Sequence, residues 1–289
     1  MFRIGLLFKP DIKEMCIIIN NLKEIEKDYK IMFHVFDHAN LPDIPSTWSE
    51  DNDHLHFILC FGGDGTMLKS VESSIKYNAP VLGVNFGKLG FLSDSTFKEL
   101  RQSIQDLKDR KYYIESRMLL DVSVNKSPTP NPSRGGESQS VHKVALNDVA
   151  VFKGNESKLV NIKLYANRQF VYETRSDGMV VCTPTGSTAY SLSAGGPIMS
   201  PSMVGMIVTP LNPHVLTVRP MVFSEYDTIE LRLPTDESMN LQIDGINMCE
   251  LGRHDRVIVK SSKNKVRFVK LSQKTFYKIL RKKLNMGKR

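Results

Sequence analysis

A chain of 289 residues with 41% hydrophobic content holds enough apolar material for one large or two ordinary domains with real cores, which excludes a peptide or a disordered tail. Its longest apolar runs, such as Cys16 to Ile19 and Met179 to Cys182, fall far short of the roughly 20 residues that a bilayer span needs, so no membrane partner is expected. The formal charge of +8 is concentrated at one end: fourteen Lys and Arg against one Asp lie from Arg253 to Arg289, leaving a mildly acidic body of 25 basic and 30 acidic residues.

In chain order, the apolar opening over 2–8 runs straight into Lys9-Pro10-Asp11 with no small-residue cleavage site, and reads as the first strand of a cytoplasmic protein. The periodicities then predict a helix over 12–29, a strand over 31–36, a short buried strand over 56–61, a helix over 66–77, a strand over 81–85 and a polar-faced helix over 96–110. Strands alternating with helices imply βαβ units and a mostly parallel sheet. After about Arg117 short alternating runs take over, at 119–124, 144–152, 160–165, 169–173, 179–182, 228–233, 239–243, 256–259 and 266–271, which predicts a second, all-β domain. The polar Ser, Pro and Gly of 126–139 read as a hairpin excursion. In the basic tail, Phe276, Ile279, Leu280 and Leu284 recur at helical spacing. They predict an amphipathic helix with a solvated cationic face rather than a nucleic-acid arm, because no aromatic-rich groove motif or helix-turn-helix accompanies them. Cys16, Cys60, Cys182 and Cys249 form neither a CxxC pair nor a Cys/His cluster, so a zinc site or disulfide framework is not expected, and Cys60 and Cys182 read as buried thiols.

The chemistry concentrates in four segments. In Phe61-Gly62-Gly63-Asp64-Gly65-Thr66 a buried strand gives way at once to a helix, whose positive end and close-approaching glycine backbone favour phosphate. An acid beside phosphate is repulsive unless it takes a proton, coordinates a cation or meets a hydroxyl; otherwise Asp64 simply caps the helix. Asn85-Phe86-Gly87-Lys88-Leu89-Gly90-Phe91-Leu92 supplies a second glycine-bearing loop at the same carboxyl edge, with Phe91 open to a core role. Ala145-Leu146-Asn147-Asp148 sets an amide and a carboxylate in an apolar strand, which calls for either a sharp turn or a sugar with paired hydroxyls. Finally, the run from Arg175-Ser176-Asp177-Gly178 through Thr183-Pro184-Thr185-Gly186-Ser187-Thr188-Ala189-Tyr190-Ser191-Leu192-Ser193 to Gly195-Gly196-Pro197 has little bulk and many donors and acceptors. That suits wrapping of a flat polar ligand such as a nucleotide base.

Together these segments resemble the NAD kinase family over most of the chain, along with Thr209-Pro210-Leu211-Asn212-Pro213-His214 and the Asp244-Gly245 turn. The Gly-Gly-Asp-Gly-Thr element is shared with diacylglycerol-type lipid kinases, whereas the Thr-Pro-Thr-Gly-Ser-Thr-Ala-Tyr run is specific. The resemblance implies transfer of a phosphate from ATP, with Mg²⁺, to the 2′-hydroxyl of the adenosine ribose of NAD, giving NADP. It implies that Asp64 faces that hydroxyl as the catalytic group, that Gly62, Gly63, Gly65 and Thr66 face phosphates, and that Phe91, Asn147, Thr185, Thr188, Ala189 and Tyr190 line the adenine side. Asp148, Asp177 and Ser193 would lie toward the nicotinamide ribose, with Asp148 where many members carry Glu. The implied domains are 1–117, 118–265 and a segment 266–289 that returns to the first domain, with NAD in the cleft and a homodimer or homotetramer whose subunits complete each other's sites. The ending Leu284-Asn285-Met286 departs from a common Leu-Gly-Trp, and the excursion over 126–139 is extra to the family pattern. Two rivals share parts of this pattern. One is a lipid kinase, which needs an apolar acceptor channel that the Thr, Ser, Asn and Asp of the second half do not offer; the other is a nonenzymatic NAD(P)-binding sensor, which has no need of Asp64.

Overall fold

The computed structural model describes residues 2–10, 12, 15–36, 44–48, 54–87, 90–127, 142–154, 158–234, 237–271 and 275–285. They fall into two units, Met1–Ser116 with Val266–Arg289, and Arg117–Lys265. In the first, β1 (Phe2–Phe8), α1 (Met15–Tyr29), β2 (Ile31–Val35), β3 (Phe57–Phe61), α2 (Asp64–Lys76), β4 (Val81–Asn85), β5 (Ser95–Thr96) and α3 (Leu100–Lys108) follow one another. β1 lies between β2 and β3, β4 pairs with β3 and β5, and every one of these pairings is parallel. Helix α1 buries Met15, Ile18, Ile19, Leu22 and Ile25, a spacing that holds one stripe against the sheet. β3 is buried along its whole length, which explains its unbroken Phe-Ile-Leu-Cys-Phe run. The registers Phe8↔Phe61 and Phe61↔Val84 align the carboxyl ends of β1, β3 and β4, so the loops that leave them share one edge.

β6 (Tyr113–Asn125) leads into the second unit, followed by β7 (His142–Ala145), β8 (Asp148–Lys153), β9 (Val160–Ala166), β10 (Gln169–Ser176), β11 (Gly178–Cys182), the short helix α4 (Tyr190–Ser193), β12 (Met206–Leu211), β13 (Met221–Phe223), β14 (Thr228–Arg232), β15 (Met239–Ile243), β16 (Ile246–Leu251) and β17 (Arg256–Lys270). One antiparallel sheet runs β13-β12-β11-β8-β15-β16. Strands β10, β9, β14 and the first part of β17 form antiparallel pairs of their own. Alternate residues of both sets, such as Val151, Val181, Val208 and Leu241 from one and Ile162, Leu164, Ile229 and Val257 from the other, meet in one buried core. The last residues of β17 belong to the first unit, where Phe268 pairs with Val81 of β4 and Val269 enters the core. Helix α5 (Phe276–Leu284) follows.

The architecture is therefore an α/β unit with a mostly parallel sheet plus an antiparallel β unit, the class that the two periodicities predict. Several boundaries differ. Ile12 stands outside α1, and α2 begins two residues earlier than predicted, at Asp64. The strand expected over 144–152 is broken at Leu146 and Asn147, and the strands expected over 256–259 and 266–271 are one continuous strand. β12, β13 and β16 were not predicted, since Pro210, the exposed edge of β13 and the polar face of β16 blur their alternation. The predicted amphipathic tail helix is α5, with Leu280 buried and its cations exposed. Of the polar excursion, Lys126 and Ser127 are anchored on Asp255, by an ion pair of 3.1 Å and a backbone hydrogen bond of 2.8 Å; residues 128–141 lie outside the described residues.

Candidate active site

The turn after β3 is shaped by contact. A side chain on Gly62, whose φ is +156°, would come within 2.2 Å of the Thr66 hydroxyl, so the strand can pass this tightly into α2 only with glycine there. Gly63 caps the helix with its carbonyl, which accepts from Thr66 and Met67 at 3.0 and 3.2 Å. Asp64 is the first helical residue and its carboxylate caps nothing in α2, which corrects the capping reading of this acid. Instead the carboxylate reaches the second glycine loop, accepting the backbone N–H of Phe91 at 3.0 Å and of Leu92 at 3.1 Å. Gly90 makes that approach possible, because a Cβ there would lie 1.9 Å from Asp64 Oδ1. Lys88 and Leu89 of that loop lie outside the described residues.

Two further features fix this acid. Its side chain keeps 32% of its surface exposed, so a ligand can reach it, and it lies at the positive end of α2. The ammonium of Lys283, from α5, stands 3.3 Å from Asp64 Oδ2 and 4.7 Å from the centroid of the Phe91 ring. Phe91 is half-buried rather than part of the core, with the Phe276 ring 6.3 Å away. Gly65 is exposed and has open space around its Cα, while Thr66 is buried.

In the second unit, the break between β7 and β8 is a turn held by a single carboxylate. Asp244, at φ +48°, accepts the backbone N–H groups of Leu146, Asn147 and Asp148 at 2.8, 2.7 and 3.1 Å. A turn thus stands at the polar pair's place in an apolar run, its backbone N–H groups held by Asp244. Thr183 bonds the same turn from the other side, through its hydroxyl to the Leu146 carbonyl at 2.5 Å and through its N–H to the Asn147 carbonyl at 2.9 Å. Gly186 lies so close that a Cβ would meet the Asn147 carbonyl at 2.0 Å. Asp148 is buried and accepts the Tyr190 N–H; burial above all, and then the neighbouring Asp244, push its carboxyl up to about 7. Asp244 is pushed up by burial as well, against the pull of its three N–H donors.

The structure thus gathers Asn147, Asp148, Thr185, Thr188, Ala189 and Tyr190 about one turn. Thr185 is buried under Arg117 at 3.3 Å, and its carbonyl accepts from Thr188 at 3.3 Å. Tyr190 and Ser193 are exposed on α4. Asp177 stands at the other end of β11, bound by Lys153 at 2.7 Å and Asn212 at 2.8 Å, which hold its carboxyl below the usual range. Burial, then the charges of Asp148 and Asp177, raise the Tyr190 hydroxyl. Cys60 and Cys182 are buried thiols, and burial raises both, Cys182 to about 12. Lys283 and Asp244 were not among the predicted site residues. Lys283 is one of many cations in the tail, and Asp244 marks itself only by the following glycine.

Two stretches of the chain match known domains: residues 43–112 match the ATP-NAD kinase N-terminal domain and residues 146–271 the ATP-NAD kinase C-terminal domain. NAD kinase of Desulforamulus reducens is 40% identical over 228 residues, 78% of this chain and 76% of that protein. NAD kinase of Lachnoclostridium phytofermentans is 36% identical over 231 residues, 78% of each. The crystal structure of yeast NADH kinase complexed with NADH matches all of this chain and 89% of its own, with a TM-score of 0.78 at 26% identity. The fold is also that of an NAD kinase from Archaeoglobus fulgidus in complex with ATP, with a TM-score of 0.72 at 24% identity over 99% of this chain and all of that one. Fold and glycine-rich acid loop define a phosphotransferase of the α/β plus β type. The chain belongs to the NAD kinase family, transferases that phosphorylate NAD. Neither a lipid kinase nor a nonenzymatic sensor is supported.

Proposed function

We propose that this chain transfers the terminal phosphate of ATP to the 2′-hydroxyl of the adenosine ribose of NAD, with Asp64 as the catalytic group. The observation that carries the reading is the Asp64 carboxylate, aimed by the Phe91 and Leu92 N–H groups yet still reachable at the start of α2. A ribose hydroxyl is a weak nucleophile at neutral pH. A carboxylate bonded to it orients the oxygen and receives its proton as the bond to phosphorus forms. Gly62, Gly63, Gly65 and Thr66 at the helix start face the donor phosphates, with the N–H groups of Gly62 and Thr66 themselves donated to the Val84 and Gly63 carbonyls. Phe91, Asn147, Thr185, Thr188, Ala189 and Tyr190 take the adenine side, and Asp148, Asp177 and Ser193 the nicotinamide ribose. The likeness to a kinase crystallised with NADH supports a dinucleotide acceptor.

Mg²⁺ would be held by the ATP phosphates and would offset their charge; among the described residues no group of three His, Cys, Asp or Glu stands together. The protein works in the cytoplasm as a homodimer or homotetramer. β13 closes one edge of its sheet with Met221 and Val222 exposed, and Leu216 and Tyr226 nearby in sequence are exposed too, the kind of surface a second copy covers. Within the described residues no helix is long and apolar enough to cross a membrane.

The test is to incubate the pure protein with NAD, ATP and Mg²⁺, assay NADP, and compare Asp64→Asn. That change keeps the size of the side chain but removes its ability to take the proton, and kcat should fall by about 10² to 10⁴ with the NAD dissociation constant changed modestly. No NADP with any phosphate donor sinks the reading. Near-native turnover in the variant removes Asp64 from the mechanism.

A further inference from the structure

We infer that Lys283 is a second catalytic residue of the transfer, an ammonium parked on Asp64 that passes to the moving phosphoryl group. The inference rests on the proposed role of Asp64. Its geometry is set by helix α5, which is N-capped by Thr275 and anchored by buried Leu280. Phe276 and Lys283 are seven residues apart, two turns on one helical face, and both stand against Phe91: the Phe276 ring at 6.3 Å and the Lys283 ammonium at 4.7 Å. Phe91 in turn donates its N–H to Asp64 Oδ2, the oxygen that Lys283 meets at 3.3 Å. Ring, carboxylate and ammonium therefore form one cluster fixed by a helix and a loop. All the cations of this helix are exposed, and among the described residues Lys283 is the one bonded to Asp64.

An ion pair this exposed adds little to stability, so folding alone does not explain the arrangement. Catalysis does. As the ribose oxygen bonds to the terminal phosphorus, its proton goes to the Asp64 carboxylate, and the bond from that phosphorus to the bridging oxygen of ATP breaks, the electron pair leaving with ADP. Protonated Asp64 no longer holds an ammonium. At the same moment the phosphoryl oxygens carry their greatest charge, and Lys283, retaining its three protons and standing 3.3 Å from the acid that releases it, receives it.

The experiment compares wild type, Lys283→Ala and Lys283→Arg, each first shown to be folded by circular dichroism and melting. Three quantities are read: kcat for NADP formation, the NAD dissociation constant, and calorimetric affinity for inorganic tripolyphosphate with Mg²⁺. Lys283→Ala should lower kcat by about 10² to 10³ with NAD binding within about threefold, and Lys283→Arg should recover part of the loss. In an Asp64→Asn background, where, as with the protonated acid, no carboxylate holds the ammonium, tripolyphosphate affinity should fall about tenfold on Lys283→Ala, the effect of losing one charged hydrogen bond. A folded Lys283→Ala protein with kcat within about twofold of wild type, or with tripolyphosphate affinity unchanged in the Asp64→Asn background, overturns the inference. If Lys283→Ala does not fold, Lys283→Gln carries the same readings. Should wild type itself make no NADP, the proposed activity fails, yet the tripolyphosphate comparison still decides whether Lys283 meets phosphate.

Discussion

The backbone N–H of Asn147 donates to the Asp244 carboxylate across 97 residues of sequence, at 2.7 Å, and that carboxylate holds Leu146 and Asp148 as well. Asp244 therefore sets where the Asn147 side chain starts. Replacing it by alanine leaves buried donors without a partner. Asp244→Ala should cost about 2–3 kcal/mol of stability, read from urea unfolding, and should raise the KM for NAD more than it lowers kcat. An unchanged KM would show that the turn keeps its shape without the carboxylate.

Asp148 makes stability depend on pH. Its carboxyl titrates near 7 in the fold, through burial and then Asp244, against 3.8 as the ordinary value. Between those two values the folded state keeps a proton that the unfolded state has released. Stability therefore falls as pH rises from about 4 to about 7 and levels off above. Asp148→Asn lacks this loss, so its urea midpoint should gain on wild type steadily from pH 4 to pH 7.5. Parallel curves for the two proteins would place the Asp148 carboxyl back in the ordinary range.

Gly90 tests the aim of Asp64 without altering its chemistry. A methyl group at Gly90 would sit 1.9 Å from Oδ1 and 2.5 Å from the carboxyl carbon, so acid or loop must move. Gly90→Ala should keep its circular dichroism spectrum and lose about 10² in kcat, the scale set by a displacement of roughly 1 Å at a reacting group. Native turnover would mean that the loop shifts and the acid does not.

The excursion between β6 and β7 should be dispensable from residue 128 onward. Ser123 pairs with His142, so the strand ends already stand side by side, and Lys126 and Ser127 are the residues tied down by Asp255. Replacing 128–139 with a turn of about four residues should leave melting temperature and NAD KM nearly unchanged. A variant that folds normally but loses turnover would assign the excursion a role over the site.

Much of this molecule could be read from its sequence, and the limits are physical. The alternation of helix and strand over the first third, and the strand-to-helix junction at Gly62-Gly63-Asp64, are local patterns, and β4 and β15 match their predicted bounds. The meaning of Asp64 was not local. A capping aspartate and one that reaches across 27 residues to Phe91 look alike in sequence. Asn147 and Asp148 showed as a polar interruption, but the carboxylate that holds their backbone N–H groups lies in another hairpin, at Asp244. Lys283 was hidden by composition, since a helix with several cations does not reveal which one meets Asp64. β17 shows the same limit in reverse: Lys260, Lys263 and Lys265 made one long strand look like two.

The return of β17 and α5 to the first unit also sets an order of assembly during synthesis. Val269 belongs to the core of that unit, Phe268 pairs with β4, and Lys283 meets Asp64, yet all three leave the ribosome after the whole of Arg117–Lys265. The unit begun first is completed last. A nascent chain can close its β unit while β4 still waits for a partner strand and the acid loop for its lysine, so the first unit matures only after the second has been made.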